Sequence, residues 1–129
     1  MRNLILPMLV CLFTFSTVNA TDSNSETNKE NVEIVKTYKL SSFCKLIQMG
    51  DFDAVKALIK SGEDVNKKSN GLTPLMFAAR HNKAKIAKLL IDNGAKIKTK
   101  SDNGGQLTAL QMAERSKAID TIKVIKEAL

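Results

Sequence analysis

Gly71-Leu72-Thr73-Pro74-Leu75-Met76-Phe77-Ala78-Ala79 and, a few residues on, Ile86-Ala87-Lys88-Leu89-Leu90-Ile91-Asp92-Asn93-Gly94-Ala95 decide the fold of this chain. Thr73 is a good N-cap, because its hydroxyl can accept from a backbone N–H that the first helical turn leaves without a partner. Pro74 suits the first helical position, where the N–H it lacks would be orphaned anyway. Leu75, Ala78 and Ala79 form an apolar face at helical spacing, with alanines that let neighbours come close. A turn at Asn82-Lys83 separates this short helix from a second, which carries Ile86, Leu89 and Leu90. Gly94 supplies the left-handed residue that ends the second helix. An extended stretch then leads to Asn103-Gly104, as one leads to Asn70-Gly71 in the unit before, and Asn-Gly is a strong tight-turn signal.

The same grammar recurs along the chain. Phe43-Cys44-Lys45-Leu46-Ile47 precedes Leu75-Met76-Phe77-Ala78-Ala79 by 32 residues, and Ser61-Gly62 precedes Asn93-Gly94 by the same offset. Thr108-Ala109-Leu110 follows Thr73-Pro74-Leu75 at an offset of 35, with the extra residues at Gly104-Gly105-Gln106. Helices of about eight residues are unstable alone, so they must stack on copies of themselves. The pattern predicts an all-α solenoid of about three helix-turn-helix repeats with projecting loops, over about 41–70, 71–103 and 104–129. Helices are expected near 42–49, 53–60, 74–81, 84–92, 109–116 and 119–127. Leu75, Ala79, Leu89 and Leu90 of the middle repeat are expected to be packed from both sides, and Leu72 to be exposed at a loop tip.

The middle unit resembles an ankyrin repeat, with Met76 standing where that family often has His. The first unit is looser, with Ser41-Ser42-Phe43 in place of Thr-Pro-Leu, although Gly50-Asp51, Gly62 and Asp64-Val65-Asn66 fit. The last unit lacks Pro and has Glu114 where a second Ala is usual, while Lys117, Lys123, Lys126 and Glu127 make it polar, as suits a terminal cap. The resemblance covers about residues 41–129 and implies a binding role without catalysis.

The flanking sequence adds an expectation about location. Met1-Arg2-Asn3, an apolar stretch from Leu4 to Phe15, and Val18 and Ala20 before a cut together read as a secretory signal, 1–20. Residues 21–33 form a polar leader with Asp22, Glu26, Glu30 and Glu33 against Lys29, and 34–129 form the repeat domain. The chain's net charge is +7 and residues 34–129 hold 18 basic against 9 acidic side chains. Such an excess favours acidic partners, anionic surfaces or nucleic acid by long-range attraction. Without Cys11, Cys44 is alone and is expected to be buried as a small hydrophobe.

Catalytic constellations are scarce. His81 is the single His, which rules out a two-His metal site within the chain. Cys44 and His81 fall at different places in different repeats, Asp51 belongs at a helix start, and no Lys-Ser/Thr follows Gly104-Gly105 as a phosphate loop requires. Met49, Met76 and Met112 suit packing. No enzyme activity, cofactor or metal is expected.

A binding surface remains. The resemblance implies a concave face made of loop tips and the exposed ends of the first helices. Carried onto this sequence, the tips are Lys68, Ser69, Asn70 and Leu72, then Lys100, Asp102 and Asn103, and the helix positions are Gln48, Met49, Arg80, His81, Arg115 and Ser116. Arg80 and Arg115 would align along one face with planar donors suited to carboxylates. The leading expectation is a monomeric protein-binding module, periplasmic or secreted, that neutralises or assists an envelope protein with an acidic surface. The alternative is an electrostatic binder of nucleic acid, acidic glycan or lipid headgroups, with Lys67, Lys68, Lys96, Lys98 and Lys100 as a basic rim. Nucleic acid is disfavoured because no aromatic side chain stands at a tip for base stacking.

Overall fold

The computed structural model describes residues 39–129, so the signal and leader segments expected from the sequence lie outside the described residues. Six helices follow in three pairs: α1 Ser42–Met49 with α2 Phe52–Lys60, α3 Pro74–Arg80 with α4 Ala84–Asp92, and α5 Ala109–Arg115 with α6 Ile119–Glu127. They match the six expected spans to within a residue at each end. The described part is an all-α repeat solenoid, with its only ladder an isolated bridge between Ser69 and Leu72 among the described residues.

Each first helix begins on a hydroxyl. Ser41, Thr73 and Thr108 accept from the backbone N–H of Cys44, Met76 and Gln111 respectively. In the last two repeats the favour is returned. The Thr73 N–H donates to the Met76 sulfur at 3.4 Å, and the Thr108 N–H donates to Gln111 Oε1 at 3.0 Å. These reciprocal pairs satisfy donors that the first turn would otherwise orphan. The three turns between paired helices share one left-handed residue, Gly50, Asn82 and Lys117, at φ of 78°, 51° and 54°. Asp51 caps α2 through its carboxylate, whereas Lys83 and Ala118 make no side-chain cap.

The first helices form an inner row, α1 against α3 against α5, and the second helices an outer row, α2 against α4 against α6. Between the rows lie Ile47, Val55, Leu75, Ala78, Ala79, Ala87, Leu90 and Ile125, all almost wholly buried. Leu89 departs from expectation: it is only half-buried. Its neighbour Leu90 points between the rows, while Leu89 sits beside Phe52, Lys85, Lys88 and Asp92 on the outer surface. Cys44 is fully buried, and burial pushes its thiol pKa up, with the Ser41 hydroxyl opposing and Glu63 adding to the rise. That environment keeps the thiol protonated and inert.

Asparagine side chains join consecutive repeats. Asn66 donates to the Gly94 carbonyl and accepts from the Lys96 N–H. Asn82 Oδ1 accepts from both the N–H and the hydroxyl of Thr121 at 3.2 Å, and its amide donates to Asp120. This satisfies Thr121, a fully buried hydroxyl standing where the middle repeat has Ile86.

Candidate functional site

The loop tips are built on two-stranded turns of different size. Ser69 and Leu72 exchange both backbone hydrogen bonds around Asn70 and Gly71, each with positive φ. That is the mirror-image turn for which Asn-Gly is chosen. In the next repeat Ser101 and Leu107 take the same places, and the Ser101 N–H donates to the Leu107 carbonyl at 2.9 Å. The residues inserted between them widen the tip, which Ser101 closes by donating its hydroxyl to the Asn103 carbonyl and accepting the Leu107 N–H. The two tips are tied together. The Asp102 N–H donates to the Gly71 carbonyl, the Asn103 amide to the Asn70 carbonyl, and Lys68 pairs with the Asp102 carboxylate.

Between these tips and the ends of the first helices runs a groove of about 600 Å³. Its floor is apolar: Leu40, Leu72, Phe77, Leu107 and Met112. Leu40, Leu72 and Leu107 each stand immediately before an N-cap. Phe77 and Met112 stand at the fourth helical position, where an apolar residue packs against the one preceding the cap and fixes the angle of chain entry. In the first repeat Lys45 replaces the second partner, so the complete apolar pairs belong to the last two repeats.

The wall is polar and carries one residue from each repeat. Gln48, Arg80 and Arg115 occupy equivalent positions near the ends of α1, α3 and α5, at the repeat offsets of 32 and 35. Both arginines are exposed, and among the described residues neither joins an ion pair. Gln48 is held by His81, with Nε2 of each 2.9 Å apart. An amide N–H can donate there only to a neutral ring nitrogen. Burial, and then the charges of Arg80 and Lys83, lower the His81 pKa and keep that ring neutral.

The sequence-derived set is thus partly gathered and partly dispersed. Gln48, Asn70, Leu72, Arg80, Asn103, Arg115 and Ser116 line the groove, with His81 supporting Gln48. Leu72 corrects the sequence reading: it is 9% exposed and belongs to the core, a floor residue and not a protruding tip. Ser69 is likewise buried, its hydroxyl accepting from the Ser41 N–H of the preceding repeat. Lys68 and Asp102 satisfy each other, Lys100 is exposed but does not line the groove, and Met49 faces a separate hollow with Phe52, Lys83 and Ile86. The sequence reading does not include the floor residues Leu40, Phe77, Leu107 and Met112. The signal was present in the sequence, as a leucine preceding all three helix caps at the repeat offset.

Among the described residues no three His, Cys, Asp or Glu side chains gather as a metal site would require, and no helix is long and apolar enough to cross a membrane.

A family model for ankyrin repeats in three copies matches residues 41–128, and the chain belongs to the ankyrin-repeat family. A putative ankyrin repeat protein of Rickettsia bellii is 40% identical over 81 residues, covering 59% of this chain and 12% of that protein. Putative ankyrin repeat protein FPV031 of fowlpox virus is 37% identical over 76 residues, covering 57% of this chain and 22% of its own length. The chain therefore spans less than a quarter of either relative. The human ASB11 ankyrin repeat domain superposes with a TM-score of 0.63 at 28% identity, over 68% of this chain and 39% of that one. Ankyrin repeats are a binding scaffold used generally for protein–protein interaction.

Proposed function

We propose that this chain is a non-enzymatic protein-binding module that acts outside the cytoplasm, in a periplasm or secreted, and holds an acidic partner in the groove between its tips and first helices. A toxin to be neutralised or an envelope protein to be assisted fits this role. The observation that carries the reading is the aligned wall of Gln48, Arg80 and Arg115 above an apolar floor, with two exposed guanidinium groups that no carboxylate of the described residues engages. A partner carboxylate would meet a planar fork of donors there, and the positive charge of residues 34–129 would draw it in.

The test is capture of partners from the native envelope fraction by the full chain. An Arg80→Ala, Arg115→Ala double variant is set beside Lys56→Ala, Lys88→Ala, which lies on the outer helices. The groove variant should lose at least about tenfold in affinity, roughly 1.4 kcal/mol, and the control should not. N-terminal sequencing of the exported protein should begin at Thr21. Equal losses in both variants, confined to low salt, would transfer the assignment to a polyanion binder, whose affinity falls steeply with salt through counterion release.

A further inference from the structure

We infer that the groove takes an extended acidic protein segment in polyproline II conformation, with carboxylates at every third residue, Asp/Glu-x-x-Asp/Glu. This rests on the groove reading above and specifies its ligand. Arg80 and Arg115 are the last residues of α3 and α5, and these two helices pack side by side. Packed helices lie about 8–10 Å apart, so the two guanidinium stems start about that far apart. A polyproline II chain has three residues per turn and rises about 3.1 Å per residue. Residues i and i+3 therefore point the same way about 9 Å apart, one repeat of this solenoid.

Other backbones match less well. In a β-strand, same-facing residues recur at about 6.6 or 13 Å. An α-helix comes near that separation only at i and i+7, about 10.5 Å apart along its axis. The residues between the carboxylates have a use as well. One of them turns toward the apolar floor between the Leu72–Phe77 and Leu107–Met112 pairs. The wall continues one repeat further to Gln48, which is neutral and held by His81. The ligand's third position is accordingly a neutral polar residue, giving polar-x-x-acidic-x-x-acidic. A segment that already favours polyproline II loses little entropy on docking.

Two labelled peptides of identical composition test this against the full chain by fluorescence anisotropy. One is Ac-Gln-Pro-Leu-Glu-Pro-Leu-Glu-Pro-amide. The other places the two glutamates together, Ac-Gln-Pro-Leu-Pro-Glu-Glu-Leu-Pro-amide. The spaced peptide should bind at least about tenfold tighter at physiological salt, where exposed charges are screened beyond about 8 Å. Arg80→Ala and Arg115→Ala should each erase that preference while the helical circular dichroism spectrum stays unchanged. If both peptides bind alike, or neither binds, the inference is overturned. Equal or tighter binding of an oligothymidylate single strand overturns it too, in favour of a phosphate ligand. If the spacing preference fails but the captured native partner is still lost on the arginine double variant, the groove reading stands and the ligand reading falls. If the partner is retained, both fall.

Discussion

The middle and last repeats start from the same local instructions and acquire different interiors. Thr73 and Thr108 cap alike, Met76 and Gln111 reach back alike, and Asn82 and Lys117 turn the chain with the same left-handed residue. Leu75, Ala78 and Ala79 are nonetheless all buried, whereas at the matching places Leu110 is half-buried, Ala113 buried and Glu114 exposed. The difference lies in the neighbours. The helix α3 packs between α1 and α5, while α5 has α3 on one side only among the described residues. Local sequence specifies the repeat, and stacking decides how much of it leaves water.

The sharpest way to break this comparison is to remove the same leucine from both repeats. Leu75→Ala should cost about 2–5 kcal/mol, the range for a leucine truncated in a packed core, and a domain this small can unfold on such a loss. Leu110→Ala should cost about 1 kcal/mol, because much less apolar surface is lost from the interior. Urea denaturation of both variants gives the two numbers, and equal costs would show that stacking does not grade the interior. Next in size is the link between the two repeats. Asn82→Ala strips the acceptor from the buried Thr121 hydroxyl, a loss of about 1–3 kcal/mol. Adding Thr121→Val removes the orphaned hydroxyl and should recover part of that loss. No recovery would mean that Asn82 acts only through its backbone.

The loop tips allow a finer test. Gly71 has φ +75° and a Cβ there would lie 3.0 Å from Asn103 Oδ1, whereas Gly105 has φ +95° and open space around it. Left-handed backbone costs an L-residue about 1–2 kcal/mol, so both alanine variants should lose stability, and Gly71→Ala the more because it also disturbs the tie to the next tip. Thermal unfolding of the pair would separate strain from contact. The smallest effect is electrostatic. The folded-state pKa of His81 lies below its ordinary value of 6.5, through burial first and then through Arg80 and Lys83. The unfolded chain therefore takes up the proton first as pH falls. This stabilisation is complete above the ordinary value and is lost as pH drops from there through the lowered folded-state value. A histidine titration by NMR should show the depressed pKa, and Arg80→Ala should raise it only in part, since burial is the leading cause.

Much of this molecule is legible in its sequence. A hydroxyl before each first helix, Pro74 at its first turn, alanines on one face and a glycine after each of the first two pairs set six helix spans almost to the residue. What could not be read was where side chains at a cap or a tip turn. Leu72 looks exposed in a loop between Asn70-Gly71 and Thr73, yet the residue before an N-cap folds back over the helix. Ser69, Lys68 and Asp102 look like free tip residues, yet each finds its partner 28 to 34 residues away in sequence. Such partners depend on how far consecutive repeats are rotated on each other, which no local pattern specifies. The column Gln48, Arg80 and Arg115 was legible because it follows the repeat offsets themselves.

The leucines before the three caps tie binding to architecture in a way that shapes how such a surface can diversify. Leu72 and Leu107 set the entry of the chain into α3 and α5 and also form the floor on which a ligand rests. A change of floor is therefore a change of scaffold, and a replacement there keeps the fold only if it still staples the helix. The wall has no such duty: Arg80 and Arg115 are exposed at the last positions of their helices. New specificities in this lineage should arise by rewriting the wall one repeat at a time over an inherited floor.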